Sequence, residues 1–233
     1  TVGGLGLTGL IISATFQLQR ITGSSFEVTT KSFSRFSCLF EALKIASENN
    51  EYAVAWLDLL SEKQPGRGIV KCAHLDRNRN LEQGRVGTRS INFPLSSSIN
   101  FITRPICTIH NSLKYAFSQL TRGTAITPIS DFLFPLDRVR NWNNLYGKAG
   151  LMQWQFVVPD EEALLLENII KDIGNTDLLP SLAVLKRCGK ESGSYLSFSR
   201  PGGTLAIDFP ATANARDLLG GFDKSIAEVG GRV

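Results

Sequence analysis

Residues 151–173 read LMQWQFVVPDEEALLLENIIKDI, a strand that passes through one turn into a helix. Gln153 and Gln155 fall on one side of the strand, and Met152 and Trp154 on the other. This is the period-two alternation of a sheet with unlike faces. Asp160 stands where a helix N-cap belongs. Glu161 and Glu162 follow in the first turn, where carboxylates favour the helix dipole, and the helix is predicted to reach about Ile173. Further strands are predicted over residues 182–188 and 204–209, then a last helix over residues 213–229 ending in Gly230 and Gly231.

The same order occurs earlier. Residues 25–31 read as a strand. A helix from about Ser34 presents Phe36, Phe40, Leu43 and Ile45 and stops at Asn49 and Asn50; strands follow over residues 52–59 and 68–75. Two strand-helix-strand-strand units predict a duplicated α+β fold, a mainly antiparallel sheet covered by helices. One more strand is predicted over residues 11–20, where Ala14, Phe16 and Leu18 alternate with Ser13, Thr15 and Gln17. The connection over residues 78–110 is polar, rich in Ser, Arg, Asn and Pro, and without periodicity. A loop of that length is either disordered or a lid over a site, here one that could also face a membrane.

The chain has 233 residues, 42% of them hydrophobic, enough for one sizeable core or two small ones. Its 25 Lys and Arg against 21 Asp and Glu are dispersed, which argues against a nucleic-acid partner. Arg77, Arg79, Arg85 and Arg89 come closest to a cluster, read as a solvated segment or as a site for phosphate or an anionic membrane. No run approaches the roughly 20 apolar residues of a spanning helix, and no signal peptide is seen. The chain starts on Thr, which suggests processing or a missing start. Cys38, Cys72, Cys107 and Cys188 lack metal-site spacing, as reduced thiols of a cytoplasmic protein would.

Gly4, Gly6 and Gly9 fit G-x-G-x-x-G, yet a strand-like segment follows instead of a helix, so the dinucleotide-binding context fails. Glycines that let a flat cofactor approach the backbone, or a plain turn, remain. Cys72 with His74, and Cys107 with His110, resemble half-sites for zinc, but their settings differ and no metal site is expected. Gln153 and Gln155 offer paired amide donors and acceptors suited to sugar hydroxyls. Lys186 is a cation in an apolar strand, either an edge lysine reaching water or a functional group. Trp56 and Asp58 share a strand face.

In order along the chain stand TVGGLGLTGLIISAT, AVAWLDLLS, FLFPLDRVRNWNNLYGKAGLMQWQFVVP, VLKRCG and PGGTLAIDFP. Together they resemble the decaprenylphosphoryl-β-D-ribose 2′-oxidase group of FAD-linked oxidases, with the vanillyl-alcohol-oxidase type of fold. The resemblance implies that residues 1–20 are the end of an FAD-binding domain and residues 21–233 a substrate-binding (cap) domain, incomplete at its C-terminus. It implies FAD, held mainly by a domain outside this chain, with Gly4, Gly6, Thr8 and Ile11 on the cofactor side. It implies oxidation of a polyprenyl-phosphoryl ribose 2′-hydroxyl or a similar sugar hydroxyl, with an NAD-dependent reductase partner completing epimerisation. A cytoplasmic location, with peripheral contact at the inner membrane face, goes with such a lipid-linked substrate. Gln155 and Lys186 match catalytic positions; Gln153, Trp56, Leu133, Thr204 and Ala206 match the substrate side. Ala206 replaces a cysteine, Thr204 an asparagine, Leu133 a tyrosine and Cys188 an aromatic residue of the mycobacterial enzymes. The alternatives are an oxidase of a free sugar, aldonolactone or small alcohol, and a non-catalytic α+β binding module.

Overall fold

The computed structural model describes residues 3–4, 6–18, 20–21, 23–76, 91–92, 100–194 and 196–233. The elements in order are β1 (Ser25–Phe33), α1 (Phe36–Asn49), β2 (Tyr52–Asp58), β3 (Arg67–Leu75), the short β4 (Ile91–Asn92), α2 (Arg104–Leu120), β5 (Gly123–Pro128) and α3 (Ile129–Leu133). Then come a 3-10 turn (Pro135–Arg138), β6 (Val139–Arg140), a second 3-10 segment (Trp142–Ala149), β7 (Leu151–Val158), a third (Asp160–Glu162), α4 (Ala163–Gly174), β8 (Leu182–Cys188), β9 (Gly202–Pro210) and α5 (Ala213–Glu228).

Seven strands form one sheet in the order β5-β1-β3-β2-β8-β9-β7, every neighbouring pair antiparallel. The duplication expected from the sequence is visible in this order. In the first unit β3 lies between β1 and β2; in the second β9 lies between β7 and β8. The units meet through their equivalent strands β2 and β8, by the pairs Ala55↔Leu185 and Trp56↔Val184. The α+β class with a helix-covered antiparallel sheet is thus the observed fold.

One sheet face is apolar because alternate residues of every central strand are. Ala55 and Leu57, Val70, Trp154 and Phe156, Ala183 and Leu185, and Leu205, Ile207 and Phe209 pack against Leu39, Phe40 and Leu43 of α1 and Leu166, Ile169, Ile170 and Ile173 of α4. Ala215, Leu219 and Ile226 bring α5 into the same core, and Trp154 Nε1 donates to Asp223 Oδ1 at 2.9 Å. Gly203 is required there, since a Cβ would lie 2.9 Å from the Phe40 ring and 3.0 Å from Leu166.

Three expectations are corrected. Residues 11–18 form no strand: Ile12, Phe16 and Leu18 are 93%, 79% and 85% exposed, and no sheet edge pairs with them. Asp160 does not cap a helix; it opens a 3-10 turn and its carboxylate pairs with Arg187, while α4 begins at Ala163. The ion pair to the neighbouring strand wins over the local cap. Residues 104–110 are not loop but the first turns of α2, started by Pro105 near its N-terminus. Cys107, Asn111, Tyr115 and Ser118 form its inward stripe; its two polar members, Asn111 and Ser118, hid it from an apolar-periodicity reading. The remainder of the 78–110 connection, and Arg77, Arg79, Arg85 and Arg89, lie outside the described residues apart from residues 91–92 and 100–103.

The helix α2 covers the opposite sheet face, but only over the first unit. Tyr115 packs on Trp56 and Ile69. Asn111 Nδ2 donates to Asp58 Oδ1 at 3.0 Å, and Arg67 binds Asp58 Oδ2 at 2.8 Å. Among the described residues no helix lies over β8, β9 and β7 on that face, and this asymmetry creates the site.

Candidate functional site

Where the second unit's face is uncovered, a pocket of about 310 Å³ is lined by Leu151, Gln153 and Gln155 of β7, Thr204, Ala206 and Asp208 of β9, and Leu182, Val184 and Lys186 of β8. Antiparallel register makes these neighbours: Gln153↔Asp208, Gln155↔Ala206, Val184↔Ala206 and Lys186↔Thr204. Leu136 and Trp142, from the 3-10 segments before β7, form its wall.

The wall is fixed by a chain of hydrogen bonds. Ser181 Oγ donates to the Asp208 carbonyl at 2.9 Å, so the Tyr146 hydroxyl donates to Ser181 Oγ at 2.6 Å. Burial pushes the Tyr146 phenol up to about 12, which keeps its proton in place. The turn needs special backbone: Asn141, Gly147 and Gly150 have φ of 58°, 56° and 72°, the left-handed region that Gly and Asn tolerate.

The floor is polar and partly self-paired. Gln153 Nε2 donates to Asp208 Oδ1 at 2.8 Å, and Gln155 Nε2 to Thr204 Oγ1 at 3.2 Å. Thr204 Oγ1 in turn donates to the Phe156 carbonyl at 2.9 Å. Each glutamine therefore has its amide nitrogen oriented by β9. Asp208 is only 3% exposed. Burial raises its carboxyl above the usual carboxylate range, an effect the Gln153 amide partly offsets. The pocket is thus cationic at the Lys186 end and carries a carboxyl at the other, four residues along β9 from Thr204.

Of the residues singled out from sequence, Gln153, Gln155, Lys186, Thr204 and Ala206 come together in this pocket. Lys186 is not on an edge strand: β8 lies between β2 and β9, and its exposure comes from a face that no helix among the described residues covers. Trp56 shares the face and neighbours Val184, but it is buried beneath α2 and lines no part of the pocket. Leu133 ends α3 and is likewise outside the lining; Leu136, three residues on, takes the place at the wall. Asp208, Leu136, Trp142, Leu151, Leu182 and Val184 were missed. Alternation in TLAIDF, which aligns Thr204, Ala206 and Asp208, was the available signal for the first of these.

Ile11 is 59% exposed and belongs to no element. Near Gly4 and Thr8 a turn is closed by the Leu7 amide donating to the Gly4 carbonyl at 2.9 Å. Gly6 has φ of 76° and open space where a Cβ would stand. The bare backbone at Gly6 leaves room for a flat group to approach, and the described residues do not enclose one. Cys72 and His74 lie on the α1 side of the sheet whereas Cys107 lies on α2 against the other face, so the two Cys–His pairs do not converge. Among the described residues, no three His, Cys, Asp or Glu cluster as metal ligands, and no helix is long and apolar enough to cross a membrane.

No family model matches the chain. It is similar to a decaprenylphosphoryl-β-D-ribose oxidase of Mycolicibacterium smegmatis, 30% identical over all of this chain and 52% of that protein. It is also similar to an uncharacterized protein from the mprA 5′ region of Streptomyces coelicolor, 26% identical over all of this chain and 67% of that protein. The chain therefore spans about half to two thirds of the length of these relatives. The likeness to the FAD-linked oxidase group, drawn above from five sequence segments, is borne out across the whole chain.

Proposed function

We propose that this chain is the substrate-binding part of an FAD-dependent oxidoreductase that oxidises a sugar hydroxyl, of polyprenyl-phosphoryl ribose or a similar sugar. One observation carries the proposal. Two amides, a hydroxyl, a carboxyl and an ammonium share one open face of three antiparallel strands, in a pocket of sugar size. The similarity to an oxidase named for such a sugar supports it.

The flavin, held mainly by chain outside residues 21–233, would supply the acceptor for a hydride from the carbinol carbon. Gly4, Gly6, Thr8 and Ile11 would border it. The hydroxyl proton would leave to a base of the enzyme, and everything else this chain supplies is binding and orientation. Gln155, its nitrogen turned to Thr204, presents its carbonyl oxygen to accept from a sugar hydroxyl; Gln153 does the same beside Asp208. Lys186 would bind the substrate's phosphoryl oxygens or polarise the reacting oxygen. Leu136, Trp142, Leu151 and Leu182 would shed water from the pocket wall. A lipid-linked substrate would bring the protein to a membrane surface, and its product would pass to a reductase.

The test is the visible spectrum and turnover of the full-length gene product. Flavin bands bleached by a phosphoryl-ribose substrate uphold the reading, and Lys186→Ala should then lower kcat/KM by about 100-fold. An unchanged kcat/KM would remove Lys186 from the site, and a protein without flavin would overturn the oxidase.

A further inference from the structure

The lysines that the pocket does not use have an arrangement of their own. On the sheet face that α2 covers over the first unit, Lys71 of β3 pairs laterally with Thr30 of β1 and Val54 of β2. The register Ala55↔Leu185 continues that row from Val54 to Lys186 of β8. Lys71 and Lys186 thus point from the same face, two strands and roughly 10 Å apart. From above, Lys114 of α2 places its Nζ 4.2 Å from the centre of the Trp56 ring, and Trp56 is the lateral neighbour of Val184 in the pocket.

Among the described residues, none of these three lysines is in an ion pair. Two acids share the face: Asp58 is already held by Arg67 and Asn111, and Asp208 accepts from Gln153 at the far end of the pocket. Burial lowers both Lys71 and Lys114, and Lys71 helps to bring Lys114 down to about 8. Lys71 and Lys114 thus stand together on one face with Lys186 in the same lateral row, and among the described residues no carboxylate pairs with any of them, an arrangement that an anion would complete. The structure therefore holds a place prepared for negative charge.

We propose that Lys71, Lys114 and Lys186 form an anion subsite, continuous with the pocket across Val54 and Val184, that takes the phosphoryl group of a phosphorylated sugar. This rests on the pocket being a sugar site, and it fixes the sugar's direction. The phosphoryl end lies toward α2, and the hydroxyls lie toward Gln153, Gln155 and Asp208. Lys114 makes α2 part of the site, stacked on Trp56 at one edge and free to donate at the other.

The experiment compares ribose, ribose 5-phosphate and inorganic phosphate binding to the full-length gene product by calorimetry. Ribose 5-phosphate is expected to bind at least tenfold more tightly than ribose. Lys71→Gln and Lys114→Gln should each remove most of that gain and leave ribose affinity unchanged. Lys71→Gln leaves the sequence of α2 and its tie to Asp58 intact, so it remains informative if Lys114→Gln loosens the helix. Unchanged ribose 5-phosphate affinity in Lys71→Gln overturns the subsite. Inorganic phosphate binding as tightly as ribose 5-phosphate overturns its continuity with the pocket. Phosphate binding that needs both lysines, in a protein that binds no sugar, upholds the subsite and overturns the sugar reading alone.

A second readout is pH. The charge acting on Lys114 is Lys71 on β3; the same face also carries Lys186 on β8, the Asp58–Arg67 pair on β2 and β3, Arg122 bonded to Ser32, and Asp208 on β9 at the far end of the pocket. The residues of β1 and β5 on this face, Phe26, Val28, Thr30, Ser32, Gly123, Ala125 and Thr127, carry no charge. Phosphate affinity should fall as pH rises past about 8, where Lys114 loses its proton. Lys114→Arg should keep its affinity there. An identical fall in Lys114→Arg would remove Lys114 from the subsite.

Discussion

Gln153 on β7 donates its amide to Asp208 on β9 at 2.8 Å, directly across the strand pair that floors the pocket. The bond spends the Gln153 nitrogen on an internal partner and leaves its carbonyl oxygen for a ligand. It also holds a carboxyl in a place where only 3% of the residue meets solvent.

Asp208→Asn separates charge from shape. The Asp208 carboxyl sits higher in the folded chain than in the unfolded one, because burial penalises its charge. A raised group stabilises the fold fully below its unfolded value, near 4, and loses that contribution as pH rises through the folded value. The asparagine variant should therefore gain on the natural chain as pH climbs from about 4 to 7. The gain reads as a rise in Tm of the variant relative to the natural chain that grows with pH. Melting curves across pH check this, and a constant difference would mean that the carboxyl keeps its ordinary affinity for protons.

The tie between Asn111 and Asp58 fixes α2 to the sheet. Asp58 is 1% exposed, so Asn111→Ala leaves a buried carboxylate one donor short, at a cost of about 1–3 kcal/mol. The loss should concentrate in α2. Amide exchange is expected to quicken over residues 104–120 while β2 and β3 stay protected. Uniform quickening would show that the helix is not a separate unit.

Most of the fold was legible, for reasons that specific residues make plain. Strands β7 and β8 match the expected bounds because each alternates cleanly, Gln153 and Gln155 against Trp154 in one case and Lys186 against Leu185 in the other. Their equivalence to β1 and β2 followed from the repeated order of elements. The helix α2 was illegible because the face it buries contains Asn111 and Ser118, whose polar atoms bond Asp58 and the Tyr115 carbonyl. Periodicity of apolar residues cannot register a face satisfied by hydrogen bonds. The segment at residues 11–18 failed in the opposite way: its alternation is real, but pattern does not supply a strand to pair with.

The pocket was half legible. Glutamines and a lysine stand out against apolar neighbours, so Gln153, Gln155 and Lys186 declare themselves. Asp208 did not, since one carboxylate near a strand end is ordinary until register sets it beside Gln153. Val184 and Ala206 are unremarkable as types, and only lateral pairing makes them the floor.

Ala206 lies between Gln155 and Val184, and its small side chain leaves the middle of the floor low. Ala206→Leu should fill that space without disturbing the core, which is on the other face. Sugar affinity is expected to fall by at least tenfold with Tm nearly unchanged. Calorimetry with the same ribose ligands checks this, and undiminished binding would place the ligand elsewhere.

Tyr146 gives the last test, because it links the wall to the floor without lining the pocket. Its hydroxyl donates to Ser181 Oγ, which donates to the Asp208 carbonyl, and its ring meets Trp142 edge-on at 6.2 Å. Tyr146→Phe keeps the ring and deletes one donor, so stability should fall by only about 1 kcal/mol. The Ser181 oxygen is then left without its donor, and the segment carrying Trp142 loses its anchor to β8. Ligand affinity should therefore drop more than stability does, by about five- to tenfold, with a faster off-rate and an unchanged dependence on phosphate. Equal losses in binding and folding would mean that the wall is rigid without this bond, and that Trp142 is held by packing alone.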